Sequence, residues 1–271
     1  MHLIHLRKIG RLWKDVDVVL ASFPKCGRTW FRFQIANYLN LSFNTGVDMD
    51  LNNMFTFVPN WGIGLNTLNG LTVYPYRNIC SMPFISATHL HPSELDIDDK
   101  KVIFLTRDPK DAFLSRKFDR SVDKFSPAFI NTLRTHPKKG IIQYCLYMNS
   151  WADQLKHFSH ITLSYESLKR DTEGELRRVL RFVGVPLDTT RIRQAVSLAR
   201  IENMRRLELE RGLGFYKDSV KNARIRPRVD RGVVGRGKKE LCLETHAFIN
   251  QCLDISLTDE AKLLLKANDP L

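Results

Sequence analysis

Apolar positions along the chain follow two periods, and their order predicts the fold. Residues 16–23, VDVVLASF, form an apolar, β-branched run that reads as a buried strand. PKCGRT follows, then WFRFQIANYLN, in which Phe31, Ile35, Tyr38 and Leu39 fall on one helical face. The chain therefore opens as strand, tight loop, helix. FISATHL at 84–90 reads as a short strand and KVIFLT at 101–106 as a stronger one. After the second, Asp108 suits an N-cap and Pro109 the first helical position. Residues 139–158 read as helix, HITLSYE at 160–166 as strand, and EGELRRVLRFV at 173–183 as an amphipathic helix closed by Gly184 and Pro186. Further helices are expected over 188–208 and near 243–254. Residues 42–82 are rich in Asn, Gly and Thr without a clear period, and read as an irregular insertion that covers a site.

Strands that alternate with helices at long separations predict an α/β fold: a parallel sheet flanked by helices on both faces. No internal repeat or linker divides the sequence, so a single domain over 1–271 is expected.

Composition narrows the class. Hydrophobic residues are 43% and charged residues 26% of 271, which excludes collagen-like, coiled-coil and wholly disordered chains. No window holds the roughly 18 uncharged apolar residues of a membrane span. The N-terminal MHLIHLRKIGRLWKD interrupts its apolar stretch with charges and reads poorly as a signal peptide. Five scattered cysteines without a C-x-x-C predict a reducing, cytoplasmic setting and neither a disulfide scaffold nor a zinc ribbon. The net charge is +13, and residues 200–239 hold 13 Lys and Arg against five Asp and Glu. Such a surface attracts nucleic acid, acidic membrane or a polyphosphorylated small molecule, and only motifs separate these.

The first motif is the loop after the first strand, Ser22-Phe23-Pro24-Lys25-Cys26-Gly27-Arg28-Thr29-Trp30. Amides at a helix N-terminus favour phosphate, Gly27 permits a close turn, and Lys25 and Thr29 add a cation and a hydroxyl. The loop is P-loop-like but not a Walker A motif, because its Lys precedes its only Gly. The second motif is Arg107-Asp108-Pro109-Lys110-Asp111-Ala112-Phe113-Leu114-Ser115. Arg107 ends a strand with a planar fork suited to an oxyanion, and Ser115 lies about two turns into the next helix.

Together the two segments resemble the soluble, cytosolic-type sulfotransferases that use 3′-phosphoadenosine-5′-phosphosulfate (PAPS). F-P-K-C-G-R-T-W is similar to the Y-P-K-S-G-T-T-W loop of that family, and R-D-P-K-D-A-F-L-S to its R-N-P-K-D-x-x-x-S. The resemblance extends to T-H-L at 88–90, S-Y-E-S-L at 164–168, F-V-G-V at 182–185 and R-G-V-V-G at 231–235. It spans about residues 17–254 and looks closer to bacterial members than to animal ones.

The resemblance implies a metal-independent O-sulfotransferase that uses PAPS, releases PAP and acts on a small hydroxylated acceptor. It implies a catalytic Lys25, with Cys26, Gly27, Arg28, Thr29 and Trp30 around the nucleotide's phosphate and adenine. Arg107 and Ser115 would hold the 3′-phosphate, Tyr165 would reach the adenosine, and Arg231 and Gly232 would belong to a basic lid within 211–239. His89 of T-H-L would be the general base, since an ordinary His titrates near pH 6.5. His91, two residues on, is the alternative base if the strand persists, and His157 and His160 lack the carboxylate or Cys neighbours of a metal site.

Several positions depart from the family pattern. Cys26 and Arg28 replace Ser and Thr, Asp230 stands where an Arg is expected, Gly237 where a Trp often follows, and Arg200-Ile201 where Ser-Phe borders the adenine. Arg228 is then the alternative lid arginine. Phe55, Phe57, Trp61, Tyr74, Tyr76, Phe118 and Phe125 either line an apolar acceptor site or belong to the core. No nucleic-acid recognition element is visible. The competing readings are a nucleotide-dependent phosphotransferase and a non-catalytic anion-binding protein.

Overall fold

The computed structural model describes residues 15–60, 74–95, 97–116, 122–212 and 232–266. Four strands lie among them: β1 (Val18–Ser22), β2 (Ile85–Thr88), β3 (Lys101–Thr106) and β4 (His160–Ser164). They form one parallel sheet in the order β2-β1-β3-β4. The β3–β4 register runs from Val102 opposite His160 to Thr106 opposite Ser164. Every residue of β1 is buried, which explains an apolar run without alternation.

The helices are α1 (Arg28–Ser42), α2 (Met54–Phe57), α3 (Pro109–Ser115), α4 (Phe129–Thr135), α5 (Ile141–Leu155), α6 (Tyr165–Arg170), α7 (Thr172–Val183), α8 (Thr189–Leu198), α9 (Ile201–Arg211), α10 (Arg236–Glu240), α11 (Leu243–Ser256) and α12 (Asp259–Lys266). With β1 between β2 and β3, the connections from β1 and β3 leave the same edge of the sheet at a point where the strand order reverses. That is where open α/β sheets bind ligands.

The chain forms two compact units. One contains residues 29–88 and 171–232 with the start of β1. In it, the Tyr38 hydroxyl donates to Pro186 O (2.6 Å) and accepts from Asp188 N (3.0 Å), tying α1 to the start of α8. The other contains residues 21–28, 89–170 and the chain from Val233. Its core includes Phe104, Tyr147 and Trp151, and the Trp151 indole donates to Leu90 O (3.1 Å).

Several boundaries differ from the sequence reading. The helix expected over 188–208 is two helices, broken at Ala199 and Arg200. The Trp30 indole donates to Ala199 O (2.9 Å), so the carbonyl freed by the break is satisfied. Strand β4 stops at Ser164 because its hydroxyl accepts from Ser167 N (2.9 Å) and caps α6, which puts Tyr165 and Glu166 in a helix. The two ends of the expected basic loop 211–239 are helical: Arg211 closes α9 and Arg236–Glu240 form α10. Within it, 213–231 lie outside the described residues. Helices α4 and α12 have no counterpart in the sequence reading.

Candidate active site

The loop after β1 is shaped by two left-handed residues, Lys25 (φ +78°) and Gly27 (φ +89°). Flanking Cys26, they turn successive amides into a concavity suited to an anion. For Lys25 this conformation costs roughly 1–2 kcal/mol. Arg107 holds it there, donating through Nη1 to Lys25 O (3.1 Å). Gly27 has no room for a side chain: a Cβ would stand 2.4 Å from Tyr165 Cδ2.

Charge in this loop comes from cations alone. Burial pushes the Cys26 thiol up to about 12, against the pull of Arg107, so it is neither charged nor nucleophilic near neutral pH. Burial lowers the Arg28 guanidinium to about 10, with the Tyr147 phenol and Cys26 opposing, which leaves it cationic. Thr29 is exposed, and Trp30 is half-buried beside Ala199 and therefore next to Arg200, the residue in the position expected to border adenine.

Arg107, 8% exposed, joins the two motifs. Besides Lys25 O, its Nη1 donates to Ser115 Oγ (3.3 Å), and its Nη2 to Asp111 Oδ2 (3.5 Å) and Val233 O (3.4 Å). Its Cζ lies 4.3 Å from the centre of the Tyr165 ring. Lys25, Gly27, Arg107, Ser115 and Tyr165 are thus brought together from three separate stretches of sequence. Among the described residues Arg107 Nε is buried without a hydrogen-bond partner, which leaves a donor suited to a further oxygen. Helix α3 starts as the sequence predicts: Asp108 accepts from Lys110 N (2.7 Å), and Pro109 opens the helix.

Asp111 is the residue that sequence reasoning missed. It is 1% exposed and accepts from Gly235 N (2.8 Å) and Gly237 N (2.5 Å), so it fastens the C-terminal glycine segment onto α3. The glycine at 237 has a steric reason: a Cβ there would lie 2.5–2.7 Å from Lys110 Cβ, Lys110 C and Asp111 N. The readable signal was R-x-x-x-D, which puts the carboxylate one helical turn from Arg107. Gly232 is described, with φ +64°. Arg228, Asp230 and Arg231 lie outside the described residues.

His89 follows β2 and is exposed, and its Nδ1 lies 2.6 Å from Ser22 O. A carbonyl only accepts, so Nδ1 carries the proton and Nε2 is the basic nitrogen of the neutral ring. His91 is directed elsewhere, with Nδ1 2.9 Å from Ser150 Oγ. Among the described residues, no group of three or more His, Cys, Asp or Glu could hold a metal ion, and no helix is long and apolar enough to cross a membrane. All five cysteines are free thiols. Of the candidate acceptor-lining aromatics, Phe57 and Tyr74 are core residues, Tyr76 stacks on Phe57 at 4.3 Å, and Phe55 lies under the Arg32 guanidinium. Phe125 is exposed, and Trp61 and Phe118 lie outside the described residues.

The sulfotransferase-domain family profile matches residues 15–260. The chain belongs to the sulfotransferase family. It is 27% identical to cytosolic sulfotransferase 15 of Arabidopsis thaliana over 76% of its own length and 62% of that relative's. It is 23% identical to sulfotransferase 1 family member D1 of Mus musculus over 62% of this chain and 58% of that one. The chain thus spans about six-tenths of each of these relatives. Among solved structures, mouse sulfotransferase SULT7A1 complexed with PAP superposes with a TM-score of 0.62 at 16% identity, covering 96% of this chain and 94% of that one. Retinol dehydratase in complex with androsterone and PAP gives a TM-score of 0.64 at 14% identity, covering 98% and 87%. At such identities these structures speak for the fold of this sulfotransferase.

Proposed function

We propose that this sulfotransferase moves a sulfuryl group from PAPS to a hydroxyl of a small acceptor and releases PAP. The carrying observation is the contact of Arg107 with both Lys25 O and Ser115 Oγ, which closes the two phosphate motifs on one another across 82 residues of sequence. The residues fit a nucleotide with phosphates at two positions: a left-handed amide concavity at 25–27, and a buried arginine with an unsatisfied Nε beside a serine hydroxyl. The PAP of SULT7A1 and of retinol dehydratase is consistent with this nucleotide.

PAPS, when bound, supplies an activated sulfuryl group on a phosphate leaving group. The chain's own residues do the rest. Cys26, Gly27, Arg28 and Thr29 present backbone amides to the 5′-phosphate, and the Lys25 ammonium stabilises negative charge that builds on the departing oxygen. Arg107 and Ser115 grip the 3′-phosphate, with Arg231 and Gly232 closing over it. Tyr165 and Trp30 border the nucleoside. His89 takes the acceptor's proton at Nε2 while Nδ1–H stays on Ser22 O, a bond that keeps the ring oriented as it becomes imidazolium. Positioning and fixed charge complete the catalysis, as in phosphoryl transfer. The free thiols and the cytosolic relatives fit a cytoplasmic enzyme.

Calorimetry with PAP, adenosine 5′-phosphosulfate and ATP, together with PAP release on a panel of hydroxylated compounds, tests the reading. PAP is expected to bind at least roughly tenfold tighter than adenosine 5′-phosphosulfate, the scale of one charge-assisted contact to the 3′-phosphate. Equal affinities, or turnover with ATP and none with PAPS, would sink it.

A further inference from the structure

Three donors around Phe23 are buried without a partner. Tyr144 Oη, Tyr147 Oη and Arg116 Nη1 have no hydrogen-bond partner within reach among the described residues, and their residues are 1%, 2% and 9% exposed. All three side chains pack on one ring. Tyr144 meets Phe23 edge-on with centroids 4.9 Å apart, Tyr147 does so at 5.5 Å, and Arg116 Cζ stands 4.8 Å from the Phe23 centre. The two tyrosines are spaced i, i+3 on α5 and so share a helix face. Phe23 itself sits between Ser22, whose carbonyl holds His89, and the Pro24-Lys25 turn. The orphan donors therefore adjoin the loop after β1, with Arg116 directly following Ser115.

A buried donor without a partner is destabilising, and finished cores keep few. Three around a single ring point to an absent occupant. Its chemistry follows from what is left open. Arg116 Nη2 is already used on Lys138 O (3.1 Å), which fixes the guanidinium and leaves Nη1 for another acceptor. No carboxylate among the described residues pairs with Arg116, and burial lowers its guanidinium only to about 10, so it stays cationic. One cation and two phenol O–H groups match the lone pairs of a monoanion.

We propose that Arg116, Tyr144 and Tyr147 form a subsite for a carboxylate on the acceptor, so that this enzyme sulfates hydroxy acids in preference to neutral alcohols and phenols. The inference rests on the sulfotransferase reading. It departs from the apolar acceptor that the aromatic content of the sequence favours.

The test is calorimetry on the full chain saturated with PAP. The probes are 3-(4-hydroxyphenyl)propanoate and 6-hydroxyhexanoate, each beside its primary amide. At least one acid is expected to bind roughly tenfold tighter than its amide, the equivalent of one charge-assisted hydrogen bond. Tyr144→Phe removes an oxygen that bonds nothing among the described residues, and Tyr147→Phe one whose neighbouring donor is the Trp151 indole. Each is expected to shrink the acid preference several-fold with Tm unchanged or raised, and Arg116→Gln to abolish it. Acid and amide bound equally by the native enzyme, no binding of either acid, or a preference that survives both Tyr→Phe variants in full would overturn the subsite. Failure of PAP itself to bind would overturn the sulfotransferase reading, and the subsite with it.

Discussion

The loops that follow β1 and β3 both contain cations, and only the second contains carboxylates of its own. The β3 loop neutralises its own charge: Arg107 faces Asp111, Asp108 caps α3, and Glu166 Oε1 accepts from Asp108 N (3.2 Å). The β1 loop, from Ser22 to Trp30, contains Lys25 and Arg28 and no acidic residue. Its shape comes from two left-handed residues and from the grip of Arg107 on the Lys25 carbonyl. One loop is a preassembled scaffold. The other has cations, no carboxylate of its own and a left-handed Lys25. Substitutions in the β1 loop should therefore act on turnover, and those in the β3 loop on nucleotide affinity and stability.

The largest effect is expected from Lys25→Ala. If Lys25 acts on charge that develops during transfer, kcat falls roughly 10²–10³-fold, as when one oxyanion donor is removed. PAP affinity should change far less, because the amides remain. Single-turnover kinetics beside PAP calorimetry separate the two. A variant with unchanged kcat and only a raised KM would place Lys25 in ground-state binding and erase the contrast between the loops.

Asp111→Asn probes the other side. The carboxylate takes both Gly235 N and Gly237 N and faces Arg107, whereas an amide has one acceptor oxygen and no charge. PAP affinity is expected to fall roughly tenfold and Tm to drop, with kcat at saturating PAPS nearly unchanged. Hydrogen exchange at 232–240 should rise in the variant. Unaltered exchange there would mean that the glycine segment is held by something other than Asp111.

What the sequence disclosed divides along the same line. The β1 loop was readable because its chemistry is local: a buried strand, a Lys, a Gly and a helix start lie within a dozen residues. Asp108 and Pro109 were readable as a helix start for the same reason. Asp111 was not, because its partners, Gly235 and Gly237, lie 124 and 126 residues away and nothing in their spacing names a carboxylate. The break at Ala199 was hidden for a similar reason, since no Gly or Pro marks it and its carbonyl partner is the distant Trp30 indole. The early end of β4 is local and still differs from a strand over 160–166, because Ser164 ends the strand and its hydroxyl caps α6, which takes Tyr165 and Glu166 into the helix. Phe57 and Tyr74 were ambiguous because aromatic content does not distinguish a core from a pocket, and their burial decides for the core.

The smallest effect is expected at Glu166, the α6 residue that accepts from the loop after β3. Burial raises the Glu166 carboxyl above its ordinary value, outweighing the backbone amides of Glu166 and Asp108 and the pull of Arg107. The native state then holds this proton more tightly than the unfolded chain does. The stability it contributes is full below the unfolded value of about 4.3 and is lost as pH rises through the raised native value. Near neutral pH the enzyme therefore carries a buried carboxylate at a net cost. Glu166→Gln keeps an Oε1 that accepts from Asp108 N and removes the charge. The variant and native proteins should melt together below about pH 4, and the variant should melt higher at pH 7.5. A variant that melts lower at pH 7.5 would reverse the balance: the attraction of Arg107 would then exceed the burial penalty, and Glu166 would count as part of the neutralising set around that arginine.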